Sequence, residues 1–253
     1  MSGFEQQTAC RYTRGGDGMT NRASSKVIHG DCSQLLMGGV ERMTHHGLVP
    51  VIVTDPPFNI GYHYDGYKDN MPEAEYYAWM AEITALASSV VVLYPESLHK
   101  LSMAKGEAPE RVVSWVYNSN TAKQHRDIAF YGIKPDFNRV KQPYKNPNDK
   151  RIKARIAQGK GARLYDWWEI NQVKNTSVEK TAHPCQMPVD VMKRAIGILP
   201  DGIGVIDPFC GSGTTGVACK QLGIPFEGYD INEDYCEIAR SRIQMVDEME
   251  EDE

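Results

Sequence analysis

No run of about 18 apolar residues occurs in the 253-residue chain, so no membrane-spanning helix is expected. Residues 1–25 are polar and glycine-rich and lack an apolar core behind a basic start, so no secretory leader is expected either. The six cysteines (10, 32, 185, 210, 219 and 236) include no Cys-x-x-Cys pair, which argues against a zinc site or disulfide framework and for reduced cytosolic thiols. His125 and His183 have no partner at a ligand spacing, so no metal is expected. Internal repeats are absent. Hydrophobic residues make up 41% and charged residues 24%, which sets aside fibrous and wholly disordered classes. The length suits one large α/β domain, or one carrying an insertion.

Positive charge is scarce except in one place. Residues 121–180 hold 14 of the 28 Lys and Arg but only 6 of the 33 Asp and Glu, although the whole chain carries a net charge of -5. One basic stretch on an acidic protein can face a polyanion while the rest keeps the chain in solution; a solvated loop is the plain alternative. Six of the seven residues 247–253 are acidic and read as a frayed tail.

Periodicity places strands at 26–29, 49–54, 89–93, 111–117, 203–206 and 225–229. It places helices at 33–43, 72–87, 189–198, 214–222 and 233–246. Alternation of strand and helix predicts a parallel sheet with helices on both faces. Regularity lapses over 121–180, where prolines and glycines interrupt the basic residues, and Trp167 and Trp168 read as core.

Two clusters carry chemistry. In Val205-Ile206-Asp207-Pro208-Phe209-Cys210-Gly211-Ser212-Gly213-Thr214 a strand runs into an acid, a Gly-x-Gly turn and a helix start. Glycines allow a tight turn and close backbone approach, and the helix start offers unpaired N–H groups. Asp230 ends the next strand, where a carboxylate can accept from both hydroxyls of a ribose. The third glycine of the dinucleotide fingerprint is missing, so a smaller nucleoside such as S-adenosylmethionine fits better than a pyrophosphate ligand. The second cluster, Thr54-Asp55-Pro56-Pro57-Phe58, ends a buried strand. Two prolines stiffen the loop and remove two N–H donors. What is left is an acceptor surface, the Asp55 carboxylate and the Pro56 carbonyl beside an aromatic ring, suited to an exocyclic amine on a flat base.

Together these clusters resemble the DNA amino-methyltransferases, and the catalytic motif preceding the cofactor motif resembles their β-class (permuted), adenine-N6-specific type. Gly30-Asp31-Cys32 is similar to the family's cofactor-adenine motif. His183-Pro184-Cys185-Gln186-Met187-Pro188 is similar to the motif beside the methionine moiety. Asp230-Ile231-Asn232 with Tyr235, Ile238 and Ala239 matches the ribose-binding strand and helix. The likeness spans about 26–120 and 180–246.

The resemblance implies a Rossmann-like seven-stranded methyltransferase sheet, circularly permuted, with helices on both faces and a basic target-recognition insert. Its parts would be a flexible tail at 1–25, a catalytic half at 26–120, the insert at 121–180, a cofactor half at 181–246 and an acidic tail at 247–253. S-adenosylmethionine would be held by Asp31, Cys32, Asp55, His183, Pro184, Asp207, Phe209, Gly211, Ser212, Gly213, Thr214, Asp230 and Ile231. Asp55, Pro56, Pro57 and Phe58 would be catalytic, gripping and stacking an adenine flipped out of double-stranded DNA. Tyr62, Lys141, Lys145, Lys150, Arg151, Lys153, Arg155, Lys160 and Arg163 would contact the DNA. The expected place is the cytoplasm of a bacterial or phage-infected cell, with no membrane or metal partner. A homodimer, a cognate restriction endonuclease and an orphan enzyme all stay open.

Within the family, Asp rather than Ser before Pro-Pro favours adenine over cytosine N4. RNA and protein-glutamine methyltransferases usually carry Asn-Pro-Pro-Tyr downstream of the cofactor motif, the reverse of the order here. A catalytically silent DNA-binding module is the reading from another class.

Overall fold

The computed structural model describes residues 11–12, 24–64, 67–174, 177, 180–182 and 185–251. Most of the expected tail at 1–25, together with His183, Pro184 and the last two residues of the acidic tail, lies outside the described residues. In chain order the main elements begin with strand Ser25–His29 (β1), helix Cys32–His45 (α1), strand Val49–Thr54 (β2), helix Glu73–Ala85 (α2) and strand Ser88–Leu93 (β3). Helix Pro95–Lys105 (α3), strands Arg111–Val116 (β4) and His125–Tyr131 (β5), helix Lys150–Ala157 (α4) and strand Trp167–Glu169 (β6) follow. Helix Val189–Gly197 (α5), strand Ile203–Asp207 (β7), helix Thr214–Gln221 (α6), strand Phe226–Asp230 (β8) and helix Glu233–Glu251 (α7) complete them.

These eight strands form one sheet in the order β6-β4-β5-β3-β2-β7-β8-β1. Seven run parallel; β5 is antiparallel to both β3 and β4. The sheet is therefore mixed rather than all-parallel and has one strand more than expected, the short edge strand β6. Its middle explains the apolar runs. Val51 and Val53 of β2 and Val90 and Val92 of β3 face a core shared with α5, α6 and α7. Ile52 of β2 packs with α1, and Val91 and Leu93 of β3 pack with α2 and α3, on the other face. Successive strand residues point to opposite faces, so a strand covered on both sides must be apolar throughout.

The stretch 121–180 is more ordered than its composition predicts. It supplies β5 and β6 to the main sheet, and Val140–Gln142 pairs with Ala162–Arg163 and with Arg11–Tyr12 in a separate antiparallel ladder. Trp168 is buried as expected, but Trp167 is half exposed, because β6 is an edge strand whose alternate residues face solvent. Helix α3 was also not anticipated. Pro95 stands at its start, and Gly106 ends it in the left-handed conformation at φ 66°.

Parallel pairing of β3, β2, β7, β8 and β1 brings their C-terminal ends to one end of the sheet. Because β5 runs the other way, its first residues arrive there too. No described helix is long and apolar enough to cross a membrane.

Candidate active site

The C-terminal ends of the strands open onto a cavity of about 470 Å³, the size of a small-molecule site at the place where such sheets bind ligands. Asp55, Pro56, Pro57 and Phe58 line it together with Phe209, Gly211, Asp230 and Ile231. The two sequence motifs, more than 150 residues apart, meet.

Buried carboxylates organise the turns. The Asp207 carboxylate accepts from the Thr54 hydroxyl at 2.7 Å, the Thr215 hydroxyl at 2.6 Å and the Phe209 N–H at 3.1 Å. It ties β2, β7 and α6 together and does not reach the cavity wall. Asp230 accepts the Gly211 N–H at 3.0 Å and the Asn232 N–H at 2.8 Å, one on each oxygen, and still borders the cavity. Burial raises the carboxyls of both acids, that of Asp207 to about 6. Asp31 does two things. One oxygen caps α1 by accepting the Ser33 N–H at 2.8 Å, and the residue also lines the cavity.

Ser212, Gly213 and Thr214, expected to contact the cofactor, do not line the cavity. They face α7, where Arg242 Nη1 donates to the Ser212 carbonyl at 2.6 Å and to the Thr214 hydroxyl at 3.3 Å. Gly213 has φ 78°, and a Cβ there would lie 2.7 Å from the Ala239 Cβ, so only glycine lets α7 pack on this turn. Cys32 lines the cavity; burial pushes its thiol up to about 12 and keeps it neutral.

At the Pro-Pro turn, burial pushes the Asp55 carboxyl up to about 6, while neighbouring Arg126, whose Nη1 lies 3.5 Å from Asp55 Oδ2, draws it back down. Asp55 Oδ1 is buried and has no hydrogen-bond partner. The Tyr76 hydroxyl donates to the Pro57 carbonyl at 2.6 Å, pinning the proline pair from α2. Beyond Phe58 the chain folds back over the cavity. Asp69, buried, accepts the N–H groups of Asn59 at 2.7 Å, Ile60 at 3.0 Å and Tyr62 at 3.1 Å. That grip holds Asn59 in the left-handed region at φ 55° and sets Ile60 and Tyr62 on the wall. Tyr62 is also hydrogen-bonded to Cys185, which places the segment after His183-Pro184 at the same mouth.

Lining residues that escaped the sequence reading include Trp79, Tyr94, Arg126 and Ser33. Tyr94 directly follows a buried strand and could have been found from that position. Trp79 comes from α2, meets Phe209 edge-on at 5.3 Å and carries no positional signal. The basic residues Lys141, Lys145, Lys150, Arg151, Lys153, Arg155, Lys160 and Arg163 are not brought to the cavity. They lie on the excursion between β5 and β6, where α4 has no buried residue. That excursion leaves the sheet at Tyr131, opposite Ser89 and remote from the cavity, and rejoins it at Trp167 beside Ser114. Among the described residues no group of three or more His, Cys, Asp and Glu could hold a metal ion.

The cavity wall carries Asp31, Asp55 and Asp230 against a single cation, Arg126, among the described residues. Such a wall suits a cationic ligand with hydroxyl donors, and the orphaned oxygen of Asp55 asks for one more donor.

Comparisons with known proteins agree with this geometry. The family model described as DNA methylase matches residues 100–241. The type II methyltransferase M.ScaI of Streptomyces caespitosus is 28% identical over 86% of this chain and 81% of its own length. The DNA adenine methyltransferase YhdJ of Escherichia coli K12 is 26% identical over 95% of this chain and 88% of its own. Among solved structures, the M1.HpyAVI–SAM complex superposes with a TM-score of 0.56 at 20% identity, covering 86% of this chain and 98% of that one. The cytosine-N4-specific PvuII DNA methyltransferase superposes at 0.57 with 14% identity, covering 87% of each chain. These two likenesses establish the fold.

Proposed function

The chain belongs to the DNA methylase family, and from that premise we propose that it methylates the N6 amine of an adenine flipped out of double-stranded DNA. The observation that carries this reading is Asp55 Oδ1, a buried acceptor without a partner at the head of the Pro-Pro turn. An exocyclic amine would supply the missing donor, and the Pro56 carbonyl would accept its second N–H.

S-adenosylmethionine, the methyl donor, supplies an electrophilic methyl group already activated on a sulfonium. Asp230 would accept from its ribose, Asp31 and Cys32 would border its adenine, and the three carboxylates of the wall suit its positive charge. Asp55, ionised at neutral pH, would draw the amine's lone pair out of conjugation and aim it. Phe58 would stack on the base, Tyr62 and Ile60 would cover it, and the surplus amine proton would leave to solvent after transfer. Positioning and fixed charge do the work, with no strong base needed beforehand.

The reading also gives the DNA contacts to the excursion's basic side chains, as phosphate contacts. It places the enzyme where bacterial DNA is, in the cytoplasm, and fits either an orphan enzyme or one paired with an endonuclease.

Nucleoside analysis of plasmid DNA treated with protein and S-adenosylmethionine tests it. N6-methyladenine is expected, and Asp55→Ala should keep cofactor binding while transfer is nearly abolished. N4-methylcytosine in place of N6-methyladenine would move the assignment to cytosine; no methylated base in DNA would sink it.

A further inference from the structure

Arg126 belongs to no motif, yet it stands at the wall that matters. It is the second residue of β5, and only the reversed direction of that strand brings it to the cavity. Its guanidinium carbon lies 4.8 Å from the ring centroid of Phe58, 5.4 Å from that of Tyr94 and 5.5 Å from that of Trp115. Its side chain is 16% exposed. A flat cation enclosed by three rings has little freedom left, and the enclosure favours arginine over lysine.

We propose that Arg126 is a positioning residue for methyl transfer: it holds the carboxylate of Asp55 through Oδ2 and braces the ring of Phe58, so that acid and stacking ring meet the target base in one fixed arrangement. This rests on the reading of Asp55 as the amine's acceptor. A carboxylate with both oxygens unengaged rotates and offers either one. Here Oδ2 faces Nη1 at 3.5 Å while Oδ1 is buried and unpartnered. The two oxygens thus have different surroundings, and the contact to Oδ2 limits rotation of the carboxylate. Because the guanidinium lies over Phe58, the same side chain orders the acid and the stacking surface together.

Charge strengthens the case. Asp55 is faced by Arg126 from β5, by Asp207 at the end of β7 and by the Tyr76 hydroxyl from α2. Asp31 and Asp230 stand elsewhere on the cavity wall, and the Tyr94 and Tyr117 hydroxyls face Arg126. Arg126 is the cation of this set, and it opposes the rise that burial imposes on the Asp55 carboxyl. Removing it leaves a buried carboxylate among acids and phenols.

The test uses the full chain, with Arg126→Met removing the charge and Arg126→Lys keeping it without the planar fork. Asp55 is titrated in the free protein by carbon-13 carboxyl NMR, its signal assigned with Asp55→Asn. Single-turnover methylation of DNA and S-adenosylmethionine affinity are measured on the same samples. Arg126→Met is expected to move the Asp55 midpoint and the acid limb of methylation to higher pH together, with cofactor affinity within about threefold of the parent. On the alkaline plateau its transfer should be slower by on the order of tenfold, as the clamp is gone. Arg126→Lys should keep the parent's midpoint and transfer more slowly. Should Arg126→Met fail to fold, Arg126→Lys decides by that same midpoint. An unmoved midpoint in Arg126→Met, or one in Arg126→Lys raised by a full pH unit, would overturn the proposal. A parent protein that leaves DNA unmethylated sinks the functional reading instead, and the NMR titration tests the clamp regardless.

Discussion

Thr54 Oγ1 donates to Asp207 Oδ1 at 2.7 Å, and each residue is the last of its strand. Asp55 follows the first and Pro208 the second, so one buried hydrogen bond sets the distance between the Pro-Pro corner and the glycine turn. Thr54→Val deletes it at nearly constant shape and leaves a buried carboxylate oxygen with the Phe209 N–H alone. The expected cost is about 1–3 kcal/mol, or a fall in Tm of roughly 2–4 °C for each kcal/mol in a domain of this size. Thr54→Ser, which keeps the hydroxyl, should recover most of it in the same thermal scan.

Acid should switch the chemistry off. The transfer rate is expected to follow ionised Asp55, falling through about pH 6 in single-turnover assays. Stability carries the opposite sign. The native state holds a proton on Asp55 up to about 6, whereas the unfolded chain releases it near 3.9. Raising the pH through that window therefore lowers the parent's stability relative to Asp55→Asn, and the change is complete above it. Urea titrations of both proteins at pH 4.5 and 7.5 would show a constant difference if burial does not raise this acid.

Asp230→Asn replaces an acceptor by a donor facing the N–H of either Gly211 or Asn232. We expect weaker binding of S-adenosylmethionine by roughly 10–100-fold, from the removal of charge-assisted hydrogen bonds of about 1.5–3 kcal/mol. Calorimetric titration measures it, and an unchanged affinity would remove Asp230 from the cofactor site.

Asp69 is the knot of the loop after Phe58. Asp69→Ala frees three N–H groups and lets Asn59 leave its left-handed backbone conformation. The expected signature is a raised KM for DNA with folding intact, together with new proteolytic cleavage between residues 59 and 68. Parent-like kinetics would show that the loop holds itself.

If α4 meets phosphates, replacing Arg151 and Lys153 by alanine should weaken binding to all DNA sequences alike. The slope of log affinity against log salt should shrink by about one for each phosphate no longer neutralised. An unchanged slope would leave this helix off the DNA.

Much of this site could be read beforehand, because its chemistry sits where strands end. Asp55, Gly211 and Asp230 each follow or close an apolar run, and the parallel sheet aligns those ends. Arg126 was hidden because Ile128 to Tyr131, buried as part of β5, lie in a stretch that composition marks as a solvated loop. The Gly-Ser-Gly turn was legible as a turn, but spacing could not tell that Ser212 and Thr214 point to α7 and Arg242. That depends on packing between distant segments, which local pattern does not encode. Helix α3 had its signals, Pro95 and Gly106, and lacked only a polar cap ahead of it.

The excursion between Tyr131 and Trp167 is fastened at both ends by strand pairing in the main sheet. Between those fixed points helix α4 has no buried residue, so its length and sequence can vary without altering the register that seats Asp55 beside the Gly211 turn. If that helix carries the DNA contacts proposed above, selection for a new DNA address would act there while descendants inherit the transfer site intact.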